Sequence, residues 1–427
     1  MPRIHIISLG CPKNQVDTEE MLGQLGPGFV LHAEPGQADI VLINTCGFIE
    51  PAVQESIQTI VDAADVLAAC TPRPTLVVTG CLVNRYEHEL RQELPEVDLF
   101  LRIDQQQELA AHLGRIATTT HASARQLTTV PSYAYIKLAE GCNNRCRFCT
   151  IPAIRGPLKS RTETDILRDA QECLAQGRKE LVLVAQDLTS YGRDRGETQG
   201  LRHILEKLVT LPGLHWLRMM YLYPSGLDRD FLAFLADMPP VLLPYFDIPF
   251  QHAHPEILAS MGRPFQRDPR TVVEQIRTFL PHAALRTTCI VGYPGETESH
   301  FQALETFVRE TRFMHLGVFP YYAEEGSAAA SLPHQVPEDI KEERRDRLMT
   351  MQAEISADLL TAWEGHELDI LVDRPHAEWP GLYEGRVWFQ APEVDGMTYV
   401  SGEGVLPGRM VRAVIEESKT YDLVALA

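Results

Sequence analysis

The run Glu140-Gly-Cys-Asn-Asn-Arg-Cys-Arg-Phe-Cys-Thr150 places Cys142, Cys146 and Cys149 in one short stretch. Three thiolates hold three corners of a four-iron, four-sulfur cube and leave the fourth iron open. Iron-sulfur clusters are usually closed by four cysteines, so three imply either a remote fourth ligand or a position kept for substrate, as in open catalytic metal sites. With cysteine at about one residue in fifty, the spacing arises by chance in roughly one chain in a few hundred of this size. Structural zinc fits poorly, because it pairs its ligands as two Cys-x-x-Cys clips or adds histidines, and no second clip exists here.

A chain of 427 residues with 44% hydrophobic content exceeds one ordinary core, which predicts two or three domains. No apolar run approaches the roughly 18 residues of a membrane span, and Met1 to Gly10 is too short and too soon broken for a signal peptide. The expected compartment is the cytoplasm. Nine cysteines then read as reduced thiols or metal ligands rather than a disulfide framework. The net charge of −19 makes a nucleic acid an unlikely default partner, since phosphate binding calls for a basic surface. The same acidity also serves simply to keep an enzyme soluble.

Outward from the loop, the N-terminal region alternates short apolar strands with helices: Ile4 to Gly10 before Asp17 to Leu25, Asp39 to Thr45 before Pro51 to Cys70, and Thr75 to Gly80 before Tyr86 to Leu94. That alternation predicts a parallel α/β sheet. A cysteine follows each strand: Cys11, Cys46 and Cys81. Loops after parallel strands emerge at one carboxyl edge, where open α/β sheets bind ligands. A second three-thiolate site is therefore expected there.

Thr118 to Ser132 reads as a linker. Six further strand patterns follow, at Tyr133 to Ala139, Leu181 to Ala185, Leu217 to Tyr221, Tyr245 to Ile248, Arg286 to Val291 and Leu316 to Pro320, which suggests a partial β/α barrel with its site at the strands' carboxyl ends. Cys173 and Cys289 are expected to pack. Val336 to Trp363 reads as a charged helix whose Lys341 to Arg347 run forms a solvated face. Beyond Gly365, short segments such as Leu368 to Val372, Gly385 to Phe389, Thr398 to Val400 and Met410 to Ile415 suggest a small all-β barrel.

The cysteine loop, with Phe148 before its last cysteine, resembles that of the radical S-adenosylmethionine (SAM) superfamily, in which SAM occupies the open iron and is cleaved by an electron from the cluster. The whole chain resembles the methylthiotransferases: three N-terminal cysteines, a radical SAM (β/α)6 partial barrel and a terminal TRAM-like β-barrel. Within that family, Ile7-Ser-Leu-Gly-Cys-Pro-Lys-Asn-Gln-Val-Asp17, Asn44-Thr-Cys-Gly-Phe-Ile49, Gly80-Cys-Leu-Val-Asn-Arg-Tyr86, Tyr221-Leu-Tyr-Pro-Ser-Gly226, Asp247-Ile-Pro-Phe-Gln-His-Ala253, Ala391-Pro-Glu-Val-Asp-Gly396 and Tyr421-Asp-Leu423 look like the RimO branch. Phe250 and Tyr293 depart conservatively from its pattern.

The resemblance implies domains at 1–118 (first cluster), 119–132 (linker), 133–362 (radical SAM core) and 363–427 (TRAM-like barrel). It implies two 4Fe-4S clusters, one on Cys11, Cys46 and Cys81 and one on Cys142, Cys146 and Cys149, with SAM contacts at Gln186, Gln251, Ile290 and Gly292. Gln186 and Asp187 lie where the superfamily meets the SAM amino group, while His252 and His254 read as polar residues of the barrel rim rather than metal ligands. The implied reaction adds a methylthio group to the β-carbon of an aspartate in ribosomal protein uS12. Its partners are uS12, an electron donor and a sulfur donor, with no membrane and no DNA.

The alternative is a transfer RNA adenosine methylthiotransferase, which shares every catalytic motif. Charge separates the two: from Thr361 onward, 12 acidic residues face five basic ones, Arg374, Arg386, Arg409, Arg412 and Lys419. Such a segment repels phosphates and attracts a basic protein. Glu378, Glu384, Glu393, Asp395 and Glu403 are the expected steering charges. A non-catalytic iron-sulfur electron carrier would leave the SAM-like segments unexplained.

Overall fold

The computed structural model describes residues 1–26, 29–32, 34–113, 125–263 and 268–427. It forms two units, one of residues 1–128, 140–143 and 150–157, the other of residues 129–139, 144–149 and 158–427. Of the expected linker, residues 119–124 lie outside the described residues.

In the first unit, β1 (Arg3–Ser8), β2 (Val30–Leu31), β3 (Ile40–Thr45), β4 (Thr75–Gly80) and β5 (Leu99–Leu101) make one parallel sheet in the order β2-β1-β3-β4-β5. Every residue of β3 is buried, as a central parallel strand covered on both faces requires. Its period of two divides the core: Val41 and Ile43 pack with Val53, Ile60 and Leu67, whereas Ile40 and Leu42 pack with Met21 and Leu22.

The helices start earlier than their apolar pattern indicates. The first runs Pro12–Gln24, opened by a proline suited to the first helical turn, and its Asn14, Asp17, Thr18 and Glu19 are buried. Polar residues facing inward defeat a reading based on apolar periodicity. The third begins at Cys81 and runs to Glu93, with a kink at Tyr86 where the sequence had suggested its start.

After β6 (Tyr133–Lys137) in the second unit the chain forms the short β7 (Ala139–Glu140), and the second unit continues with β8 (Lys159–Ser160), β9 (Glu180–Val184), β10 (Trp216–Met219), β11 (Tyr245–Asp247), β12 (Ala284–Val291) and β13 (His315–Pro320). Parallel sheets β6-β9-β10 and β11-β12-β13 are joined by a Leu217–Leu242 bridge and by the hydrogen bond from Leu222 N–H to the Asp247 carbonyl, 2.8 Å. The result is a six-stranded open barrel arc. Cys173 and Cys289 are buried in its packing.

The helix Glu338–Thr361 matches its predicted span, but its basic run is a solvated face only in part: Glu342, Glu343 and Asp346 are exposed and Arg347 pairs with Glu343 four residues earlier. Lys341 and Arg344 are buried; Lys341 Nζ donates to the Tyr321 carbonyl at 2.8 Å and Arg344 pairs with Glu296 at 2.8 Å. Long basic side chains bury their stems when their heads find acceptors. A hydropathy count cannot see those acceptors.

β14 (Glu367–Pro375), β15 (Leu382–Arg386), β16 (Thr398–Ser401), β17 (Met410–Ser418) and β18 (Leu423–Leu426) close a barrel in the order β14-β15-β16-β18-β17. The pattern at Gly385 to Phe389 corresponds to the earlier strand Leu382–Arg386, with Trp388 and Phe389 beyond it. Buried charges fasten this barrel to the strands of the arc. Glu180 on β9 receives Arg218 at 2.6 Å and Arg386 at 2.5 Å, and Arg386 also pairs with Asp373 at 2.8 Å.

Two of the expected steering charges are committed to the same contact. The Asp395 carboxylate is buried and accepts from Tyr245 and Arg286, while Glu393 accepts from the Tyr133 hydroxyl at 2.7 Å. Glu384 pairs with Arg374 at 2.6 Å. Glu378 and Glu403 are exposed.

Candidate functional site

The three N-terminal cysteines end three adjacent parallel strands, β1, β3 and β4. Cys11 is the N-cap of the helix Pro12–Gln24 and Cys81 is the first residue of the helix Cys81–Glu93. Both sulfurs thus lie at helix N-termini, which favour negative charge.

Close approach of the turns depends on missing side chains. A Cβ on Gly10, whose φ is +88°, would meet Cys46 Cβ at 2.8 Å and Sγ at 3.0 Å, and one on Gly47 would meet the backbone of Leu82 at 2.7 Å. Asn14 stitches the same turns. Its Nδ2 donates to the carbonyls of Leu9 and Thr45, each at 2.9 Å, and its Oδ1 accepts from Cys81 Sγ at 3.6 Å.

A buried cation completes this edge. Arg155 Nε donates to Cys81 Sγ at 3.3 Å, Nη1 to Glu140 at 3.0 Å, and Nη2 to Asp17 at 3.0 Å and to Asn14 Oδ1. Burial works against the guanidinium, yet Asp17, Cys81 and Glu140 hold its pKa well above the ordinary value. Burial pushes the Cys81 thiol up to about 12 despite Arg155, and the charges of Cys11 and Cys46 push the same way. The Cys46 thiol is raised by burial and by Cys11.

None of these cysteines is in a disulfide. Three half-buried or buried sulfurs, of which burial disfavours ionisation at Cys46 and Cys81, are suited to a cationic iron core, which neutralises thiolates on binding. Asn14, Asp17 and Arg155 had not been singled out from the sequence. The quoted run Ile7 to Asp17 contains two of them, but nothing local ties Arg155 to a cysteine 74 residues earlier.

In the loop itself, Cys142 N–H donates to the Gly156 carbonyl at 3.2 Å within the first unit. Within the second, Cys149 N–H donates to the Cys146 carbonyl at 3.1 Å, and Arg147 exchanges backbone bonds with Met261 and Ala329. Asn144 donates to Asp187 at 2.8 Å, which gives Asp187 a loop-holding part. Arg263, buried and stacked on Tyr223 with its guanidinium 4.3 Å from the ring centroid, donates to Cys146 Sγ at 3.6 Å.

Of the expected SAM contacts, the structure brings two directly together: Ile290 N–H donates to the Gln251 carbonyl at 2.7 Å. Gln251 has a φ of +73°, and its buried Oε1 accepts no hydrogen bond among the described residues. An unpaired buried acceptor fits a ligand that brings an N–H donor. Gln186 follows β9 beyond Ala185. Gly292 has a φ of +70°, and the group that closes on its α-carbon is the stem of Lys341.

His252 is buried, its Nε2 3.4 Å from Glu296. His254, Glu256 and His300 gather their ligand atoms within 4.8 Å. Both of these histidines accept a backbone N–H at Nδ1, from Glu256 and Thr297. Their neutral rings therefore carry the proton on Nε2, the nitrogen a metal would need.

Family models match three stretches: Uncharacterized protein family UPF0004 at residues 3–102, the Radical SAM superfamily at 136–308 and the TRAM domain at 365–427. The chain is 56% identical to a protein of Nitratidesulfovibrio vulgaris named ribosomal protein uS12 methylthiotransferase RimO, over 100% of both chains. It belongs to the RimO family. A RimO of Oleidesulfovibrio alaskensis is 55% identical, again over 100% of each chain.

Among solved structures, the radical S-adenosylmethionine methyltransferase TsrM of Kitasatospora setae, with cobalamin and a [4Fe-4S] cluster bound, aligns with a TM-score of 0.53 at 14% identity, covering 75% of each chain. At that identity the likeness concerns the fold alone. The RimO-family order of parallel α/β sheet, radical SAM arc and TRAM barrel is the one seen here.

Proposed function

We propose that this chain transfers a methylthio group to the β-carbon of an aspartate in ribosomal protein uS12. The observation that supports it best is the second set of thiols, Cys11, Cys46 and Cys81, gathered at the ends of three adjacent strands. A radical SAM enzyme with one cluster has no use for it. In this reading they hold one 4Fe-4S cluster, Cys142, Cys146 and Cys149 hold another, and Gln186, Gln251, Ile290 and Gly292 receive SAM. When bound, the open cluster supplies the electron that cleaves SAM, and the other cluster carries the sulfur to be transferred.

The residues of the chain prepare this chemistry. An unactivated C–H bond has no proton for a base to take, so the loop residues serve to hold rather than to titrate. Asn144 and Asp187 fix the loop, Arg263 screens the Cys146 sulfur, and Gln251 Oε1 offers an acceptor to an ammonium group. Domains at 1–118, 133–362 and 363–427, joined by 119–132, belong to the same proposal.

An electron donor and a sulfur donor are required partners of this reaction. No described helix is long and apolar enough to cross a membrane, which fits work on a ribosomal protein in the cytoplasm. Mass spectrometry of uS12 from cells with and without this protein tests the reading: the aspartate should carry one methylthio group only where the protein is present. An unmodified uS12 in both would overturn it.

A further inference from the structure

We infer that Arg155 is a positioning residue of the N-terminal cluster site, holding the Cys81 sulfur by an N–H···S hydrogen bond and joining it through Glu140 to the turn that carries Cys142. The inference rests on the reading of Cys11, Cys46 and Cys81 as cluster ligands.

The geometry is that of a guanidinium used to its full extent. Nε faces Cys81 Sγ at 3.3 Å, Nη1 faces Glu140 Oε1 at 3.0 Å, and Nη2 is shared by Asn14 Oδ1 and Asp17 Oδ2. Glu140 Oε1 also accepts from Gly141 N–H at 3.3 Å, and Cys142 N–H is held by Gly156, the residue after Arg155. One planar cation thus touches a sulfur from β4's end and, one residue away, the start of the loop. Lysine offers three donors around a point and cannot reproduce this fork.

The hydrogen bond has an electronic consequence. Donors to cluster sulfurs, together with buried positive charge, stabilise the reduced, electron-rich state and raise the reduction potential. Asp17 accepts from the guanidinium at 3.0 Å, so its contribution is to fix Arg155 in place. Arg155 is therefore expected to raise the potential of this cluster, whereas Asp17, a buried carboxylate, holds Arg155 and does not itself raise it.

The test uses the full chain carrying Cys142→Ala, Cys146→Ala and Cys149→Ala, reconstituted anaerobically so that only the N-terminal cluster assembles. With arginine labelled by nitrogen-15 in the guanidinium, pulsed electron paramagnetic resonance of the reduced protein should show a nitrogen-15 coupling that Arg155→Lys abolishes. This measurement on the protein with Arg155 intact does not depend on whether a variant folds.

In redox titration, Arg155→Met and Arg155→Lys should shift the midpoint potential downward at unchanged iron content. Asp17→Asn, which leaves the Nε donor in place, should lower thermal stability without lowering the potential. No coupling in the parent, a coupling that survives Arg155→Lys, or an unmoved potential in Arg155→Met would each overturn the inference. If the parent bound no iron, the ligand assignment would fail first and take the inference with it.

Discussion

Tyr245 donates its phenolic hydroxyl to Asp395 Oδ2 at 2.7 Å, joining the first strand of one half of the arc to a loop of the terminal barrel 150 residues later. Arg286 Nε approaches the other carboxylate oxygen at 3.2 Å, and His315 Nδ1 lies 3.5 Å from it. A carboxylate with no solvent exposure is tolerable only with such partners. It acts as a peg that ends the barrel's independence from the arc.

Asp395→Asn should destabilise the second unit by about 3–5 kcal/mol, the range for breaking a buried pair by removing one partner. Burial opposes ionisation of Asp395, but His315 and Arg286 outweigh it and hold its pKa below the ordinary carboxylate value. A depressed folded pKa gives stability that is present above the unfolded value, about 4, and lost as pH falls through the folded one. The gap in melting temperature between wild type and variant should therefore narrow below about pH 4. A gap independent of pH would count against this account.

Replacing Cys142, Cys146 and Cys149 with alanine should remove about half the iron, given two four-iron clusters, and abolish SAM cleavage. Replacing Cys11, Cys46 and Cys81 should instead leave SAM cleavage intact and stop methylthio transfer. Iron analysis and chromatographic assay of 5′-deoxyadenosine under anaerobic conditions read both. SAM cleavage that survives the first set would remove the loop from the mechanism.

Gly292→Ala should cost about 1–3 kcal/mol, because the residue holds a left-handed backbone and its Cβ would overlap the Lys341 stem. Shortening the neighbour separates the two causes. In the background of Lys341→Ala, which removes Cγ and Cδ but keeps Cβ at 3.1 Å, the cost of Gly292→Ala should fall. Chemical denaturation of the four proteins gives the coupling, and strict additivity would show that Lys341 is not the obstacle.

Glu378→Lys with Glu403→Lys should slow association with uS12 and weaken its dependence on salt. Exposed charges steer encounter over a Debye length of roughly 8 Å at physiological ionic strength. Asp395, being buried, does not belong in that set. SAM cleavage should be unchanged, and an association rate that ignores both charge reversal and salt would place recognition elsewhere.

Much of the architecture was legible along the chain. Alternation of short apolar strands with helices gave the parallel sheet and the arc, and three cysteines at strand ends were bound to share one edge, since parallel strands point their carboxyl ends the same way. The Cys142 to Cys149 spacing is a pattern read along the chain without any fold, and it is the basis for proposing a cluster there. Element starts were less legible where polar side chains face inward, as at Asn14 and Asp17, because periodicity counts only apolar residues.

Tertiary structure alone decided which charges meet. Lys341 and Arg344 read as a solvated run but are buried against Gly292 and Glu296, and Asp395 reads as a surface acid but is enclosed. Arg155 reads as one more basic residue after a cysteine loop, yet it donates to Cys81 and pairs with Asp17 and Glu140. Local propensity depends on neighbours a few residues away, whereas the energy of a buried charge depends on partners that only chain folding brings within about 3–4 Å.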